Sequence, residues 1–177
     1  MPGEQGNVQV YVGLGSNVNP ERNIPAALDR LSAATPLTGL STFYRTVPIG
    51  RPGQPEFLNG VAEVSCPVPA RAFKFEVLRG IETALGRVRT VDRYAPRPIE
   101  LDILLYGDAV IDEPGLRVPD EDLRQRPFLM AGLLELAPGL VLPDTGEPLA
   151  RLAEAVQLAV LEPDTEFTQQ LKARFAS

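Results

Sequence analysis

The residues best suited to chemistry fall in one short run, Arg97-Pro98-Ile99-Glu100-Leu101-Asp102-Ile103-Leu104-Leu105-Tyr106. Ile99, Leu101, Ile103 and Leu105 recur with period two, as on a strand with one buried face, which sends Glu100 and Asp102 together to the opposite face. Side chains two apart on a strand stand roughly 7 Å apart at Cα, and both can lean on one magnesium or on a pair of ions about 4 Å apart. Magnesium takes oxygen ligands, commonly one or two from protein carboxylates, and leaves the rest to water and phosphates. A solvated strand face is the plain alternative for Glu-x-Asp alone. Arg87, Arg89, Arg93 and Arg97 stand just before the acids and weigh against it. Guanidinium groups stay charged and hold phosphate oxygens through paired hydrogen bonds. Phosphoryl-type transfer needs mainly positioning and neutralisation of charge, so arginines beside metal-binding carboxylates read as a polyphosphate site.

What the chain lacks narrows the chemistry further. It contains no histidine and one cysteine, Cys66. Zinc sites and Ser-His or Cys-His nucleophiles usually require imidazole, so carboxylates, arginines, hydroxyls or a hard metal must do the work. Cys66 reads as a strand residue. The net charge of −6 argues against nucleic-acid binding, yet seven of the positive residues and only three negative ones lie between Arg71 and Arg97. That concentration predicts a local anion site. Gly13-Leu14-Gly15-Ser16-Asn17 reads as a small-residue turn that could offer backbone N–H groups to phosphate, but neither a P-loop nor a dinucleotide fingerprint is present.

These residues need a frame, and 177 residues at 44% hydrophobic content predict one domain over 1–177. Val8 to Leu14 reads as a strand. Asn19-Pro20 then caps a helix whose Ile24, Ala27, Leu28 and Leu31 recur at helical spacing. Leu40 to Tyr44 and Phe57 to Val64 read as strands, Ala70 to Leu85 as a helix stopped by Gly86, and Ile99 to Tyr106 as the last core strand. The order β-α-β-β-α-β predicts an α+β, ferredoxin-like core, an antiparallel sheet with two helices over one face. Ala109 to Ile111 reads as a short extra strand and Phe128 to Leu136 as a helix, with two more helical pieces between Leu149 and Ser177 divided by Pro163. No basic cluster leads into an apolar stretch after Met1, and no apolar run nears the ~20 residues that span a bilayer, so the expectation is a soluble, cytoplasmic protein without membrane contact. An RNA-binding use of the topology fits poorly, because Val8 to Leu14 and Phe57 to Val64 carry no lysine or arginine.

Several ordered stretches resemble the hydroxymethyldihydropterin pyrophosphokinase family. They are Tyr11 to Asn17, Ser41 to Thr46 with Pro48, Gln54 to Asn59, Ile81-Glu82, Gly86 to Arg89, Ala95 to Gly107, Val118-Pro119 and Arg126-Pro127-Phe128. The resemblance implies ATP as co-substrate, two magnesium ions, and transfer of a pyrophosphoryl group to a pterin alcohol with release of AMP, in folate biosynthesis. By matched position, Thr46, Val47, Ile49 and Asn59 would bind the pterin edge, and Phe57 and Phe128 would stack on its ring. Glu82, Arg87, Arg89, Tyr94, Arg97 and Arg126 would hold the nucleotide, with Arg87, Arg97 and Asp102 catalytic and Glu100 and Asp102 on the metal. Two positions depart from the family pattern: Glu100 stands where aspartate is usual, and Asp120 where histidine is common. The departures make a catalytically impaired pterin- or nucleotide-binding protein the alternative reading. Asp120 would repel a triphosphate unless it points away.

Overall fold

The computed structural model describes residues 6–48, 53–92, 94–156 and 158–175. The strand β1 (Val8–Ser16) lies inside its sheet with a strand paired on each side, and is buried from Val10 onward, so its small and apolar residues serve both faces. The helix α1 (Pro20–Ala34) buries Ile24, Ala27, Leu28 and Leu31, the residues whose spacing predicts it. Its entry differs from expectation. Asn19 adopts the left-handed conformation, φ 44° and ψ 54°, and its side chain caps nothing. Instead Asn23 Nδ2 and Ser16 Oγ both donate to the Val18 carbonyl.

The strand expected over Leu40 to Tyr44 is two strands, β2 (Leu37–Leu40) and β3 (Tyr44–Thr46). Both pair antiparallel with β4 (Phe57–Cys66). Burial of the Phe43 ring causes the break: it lies over Gly60, where a Cβ would stand 2.6 Å from the ring. Ser41 stitches the gap, its N–H donating to the Val61 carbonyl and its hydroxyl accepting from the Val61 N–H. Cys66 ends β4 as a buried free thiol.

The second expected helix is present but not uniformly α. It runs without interruption through α2 (Ala70–Ala72), a π-wound segment (Phe73–Leu78) and α3 (Arg79–Ala84). The wider turn brings Phe73 and Leu78, five residues apart, into the same core. Gly86 ends the run at φ +94°, a conformation that suits glycine.

β5 (Glu100–Tyr106) completes the core, giving the antiparallel order β5-β1-β4-β3, with β2 also against β4. That is the ferredoxin-like order with its second strand broken. α1 and the helical run cover one face with Val10, Val12, Leu101 and Ile103. The other face carries Tyr11, Val61, Leu104 and Leu105 and is covered in part by α4 (Pro127–Leu136) and α5 (Leu149–Glu154). Leu105 is a correction: the register shifts between Tyr11 and Val12, where Tyr11 faces Leu105 and Val12 faces Ile103. The resulting bulge puts Leu104 and Leu105 together on the α4 side, where strict alternation predicts Leu105 with Ile103.

Beyond β5 the extra strand sits later than expected, as β6 (Ile111–Glu113) in a hairpin with β7 (Leu116–Val118). Pro163 does more than divide helices. It lies in β8 (Glu162–Pro163), which pairs with β3 and extends the sheet before α6 (Thr165–Phe175) packs Phe167 and Leu171 into the core. Among the described residues, no helix is long and apolar enough to cross a membrane.

Candidate functional site

α4 covers only part of its face of the sheet, and the site lies on the remainder. The floor comes from three adjacent strands: Gly13 pairs with Asp102 and Val61, and Gly15 pairs with Glu100 and Asn59. A Cβ on Gly15 would stand 2.5 Å from Asn59 Oδ1, so only glycine lets these side chains close over β1. The stretch expected as a phosphate-binding turn is therefore strand as far as Ser16, and its part in the site is to leave space.

Three hollows open in sequence along this floor. The first is a cleft lined by Thr46, Val47, Phe57 and Asn59 from the β3–β4 side and by Tyr94, Arg97, Arg126 and Phe128 facing them. Phe57 and Phe128 are only half-buried and line the cleft, and Phe128 also packs against the core beneath it. The second is a narrow well holding Glu100, Asp102, Asp120 and Asp122, which shares Asn59, Glu100, Arg126 and Phe128 with the cleft. The third is an outer hollow lined by Lys74, Leu116 and Arg117 that shares Asp120 and Asp122 with the well. The carboxylates thus lie between two spaces. Ile49, expected at the pterin, and Arg93, expected with the arginines before the acids, lie outside the described residues.

Glu82, Arg87 and Arg89 form a separate cluster. Glu82 is 2% exposed, and its carboxylate is fully occupied. It accepts from Arg87 Nη1, from Arg89 Nη2 at 2.7 Å and from the Leu101 N–H at 2.9 Å. Glu82 therefore sets where two arginines stand and ties them to the backbone between Glu100 and Asp102. Arg87 is nearly covered, while half of Arg89 remains open to solvent.

Two polar residues fix the loops around the cleft. Asn17, 2% exposed, accepts from the Arg97 N–H through Oδ1 at 2.8 Å and donates through Nδ2 to Gln54 Oε1 at 2.9 Å. Gln54 donates in turn to the Tyr94 carbonyl at 2.8 Å. Within the cleft, Asn59 Nδ2 donates to Thr46 Oγ1 at 2.6 Å. Sequence reasoning gives Asn17 only a turn or cap role and Gln54 none of its own. The one local sign was a run of polar residues at strand ends, which does not show that they converge.

The well has the electrostatics of a cation site. Burial first, then the charges of Glu100, Asp120 and Glu82, push the Asp102 carboxyl well above the usual carboxylate range, while Lys74 pulls it back. Burial likewise raises Asp120, against a hydrogen bond from the Asp122 N–H at 2.8 Å. Asp120 faces the well, so the anion expected to conflict with triphosphate is part of it. Glu100 is ion-paired with Arg97. Among the described residues no group of three or more acids is placed to hold a metal by itself, and Arg126 pairs with Asp122. Glu100 and Asp102 could supply two oxygen ligands to a hard divalent cation that takes its others from phosphate and water, which would relieve the cost of keeping Asp102 charged.

A family model described as 7,8-dihydro-6-hydroxymethylpterin-pyrophosphokinase matches residues 11–138. The chain belongs to that family. It is 40% identical over 157 residues to the 2-amino-4-hydroxy-6-hydroxymethyldihydropteridine pyrophosphokinase of Pseudomonas aeruginosa, covering 87% of this chain and 95% of that one. To the enzyme of the same name from Haemophilus influenzae it is 38% identical over 141 residues, 78% of this chain and 87% of the other. The Plasmodium falciparum HPPK-DHPS wild-type crystal structure shares its fold at TM-score 0.68 and 12% identity, covering 98% of this chain. This pyrophosphokinase-family chain spans 47% of that longer one.

Proposed function

We propose that the chain transfers the β,γ-pyrophosphoryl group of ATP to the hydroxymethyl oxygen of 6-hydroxymethyl-7,8-dihydropterin, releasing AMP, as a step of folate biosynthesis in the cytoplasm, and that 1–177 is one pyrophosphokinase domain. Family membership and a carboxylate well between two hollows carry the reading. The pterin ring lies in the cleft against Phe57 and Phe128, faces that suit a flat heteroaromatic. Thr46, Val47 and Asn59 meet its polar edge, and the family resemblance adds Ile49. ATP lies with its nucleoside toward the outer hollow and its phosphates across the well.

In this arrangement the pterin oxygen attacks the β-phosphorus as its hydroxyl loses a proton. The bond from that phosphorus to the bridging oxygen breaks, and the oxygen leaves on AMP. Arg97 and Arg126 stand at the boundary of cleft and well and take up charge on the transferred group. Arg87 and Arg89, oriented by Glu82, hold the phosphates from the adjoining side, and Tyr94, which lines the cleft, closes over the transferred phosphates from that side. Glu100 and Asp102 would hold two magnesium ions, which when bound neutralise the phosphates and fix their geometry. Purified protein with ATP, magnesium and the pterin alcohol should form AMP, and should form none when the pterin is left out. Absence of AMP at saturating substrates would sink the catalytic reading.

The engagement of Glu100 by Arg97 and the presence of Asp120 in the well favour one second reading, a pterin- and nucleotide-binding protein with impaired turnover. Saturable binding of both ligands without AMP formation would select it.

A further inference from the structure

One wall of the pterin cleft is supported from outside the residues that match the family. β3 supplies Thr46 and is three residues long, held on one side by β4 through Tyr44↔Asn59, Arg45↔Leu58 and Thr46↔Phe57. On its other side, among the described residues, it pairs with β8 alone, from the C-terminal segment beyond the matched residues 11–138. So short a strand is poorly fixed by its own ladder, and its neighbours decide where it sits.

The C-terminal segment holds β3 at several adjacent points. Arg45 Nη2 donates to Asp164 Oδ2 at 2.6 Å, and Glu21 of α1 stands 3.7 Å from the same nitrogen. The Asp164 N–H donates to the Phe43 carbonyl at 2.8 Å, and the Phe43 N–H donates to Thr168 Oγ1 at 2.9 Å. Asp164 Oδ1 also accepts from the Phe167 N–H at 3.0 Å, so one carboxylate both opens α6 and grips β3. Asp164 is 15% exposed and Arg45 36%, and hydrogen bonding to Asp164 holds the Arg45 guanidinium charge firmly in place. Next along β3, Thr46 accepts the hydrogen bond from Asn59 inside the cleft.

We propose that Arg45 and Asp164 are positioning residues for the pterin, with the C-terminal segment acting as a strap that sets the Thr46–Asn59 wall. Neither side chain lines the cleft; both act through the placement of β3. The inference rests on the pterin reading of the cleft, so binding is measured apart from turnover. Equilibrium dialysis of 6-hydroxymethyl-7,8-dihydropterin in the presence of a non-hydrolysable ATP analogue and magnesium gives the pterin Kd, and titration of the analogue alone gives the nucleotide Kd.

Arg45→Met and Asp164→Asn should each weaken pterin binding about tenfold, a loss of the size that small misplacement causes. The nucleotide Kd should stay within about twofold, and Arg45→Lys should restore most of the pterin affinity. Arg174→Ala is the matched control. It breaks the Arg174–Asp29 ion pair that ties α6 to α1 and should leave the pterin Kd unchanged. Equal loss of both affinities, unchanged pterin affinity in Arg45→Met, or an equal loss in Arg174→Ala would overturn the proposal. A parent protein that binds no pterin would instead overturn the assignment of the cleft.

Discussion

Two carboxylates beside β5, Glu82 and Asp102, are treated in opposite ways. Glu82 is buried beneath Arg87 and Arg89 and takes a backbone N–H from Leu101, so its charge is fully met. The Asp102 carboxylate receives no hydrogen bond among the described residues, and burial first, then the charges of Glu100 and Asp120, lift it above its usual range. The first arrangement stabilises a fold. The second costs stability while no cation is bound, and such unmet charge is what a ligand can complete.

The sharpest way to break this contrast is Asp102→Asn. AMP formation should fall by about 10³, within the range lost when one transition-state charge contact is removed. Metal-free protein should meanwhile melt no lower than the parent, because a costly charge has gone. Magnesium should raise the melting temperature of the parent and not of the variant. Lower stability in Asp102→Asn would show that the well is structural.

Glu82→Ala should do the reverse. Removing one partner of a buried pair costs about 3 kcal/mol, which lowers the melting temperature of a chain this size by about 6 to 12 °C. Activity should fall as Arg87 and Arg89 lose their anchor. An unchanged melting curve would contradict the structural role given to Glu82.

Glu100→Asp tests how finely the well is tuned. Shortening the side chain should preserve or raise AMP formation, by withdrawing the carboxylate from Arg97 toward the usual metal-binding length. Complete loss of activity would refute that view.

The smallest effect is expected outside both regions, at Glu135. Burial alone would raise its carboxyl, but the Thr42 N–H and hydroxyl and Lys172 outweigh it and hold it below the ordinary value. A lowered folded-state carboxyl stabilises above its unfolded value, and that contribution is lost as pH falls through the folded one. With Glu135 and Lys172 partly exposed, the contribution is at most about 1 kcal/mol. Acid melting curves of the parent and Glu135→Gln should therefore converge at low pH, and a gap that persists there would assign Glu135 another role.

Much of the frame was legible locally. The period-two run from Ile99 and the helical spacing from Ile24 mark elements whose buried faces repeat, and the acids of β5 fall opposite that face. The bulge at Leu104 and the π-wound Phe73–Leu78 were not legible, since each answers a packing demand from another element. The short β8 was hidden because two residues carry no period.

The sequence by itself determined that chemistry here rests on carboxylates and arginines, and that Glu100 and Asp102 share a face, because residue type and alternation are local properties. Only the tertiary structure decided how each charge is used. It buried Glu82 under two arginines, brought Asp120 to Asp102, and laid Asp164 against Arg45 from 119 residues away. The arginines lie within seven residues of Glu82, yet nothing in that window says they will cover it. Asp120 and Asp164 come from elsewhere in the chain, and such partners are chosen by how the sheet and helices close around them.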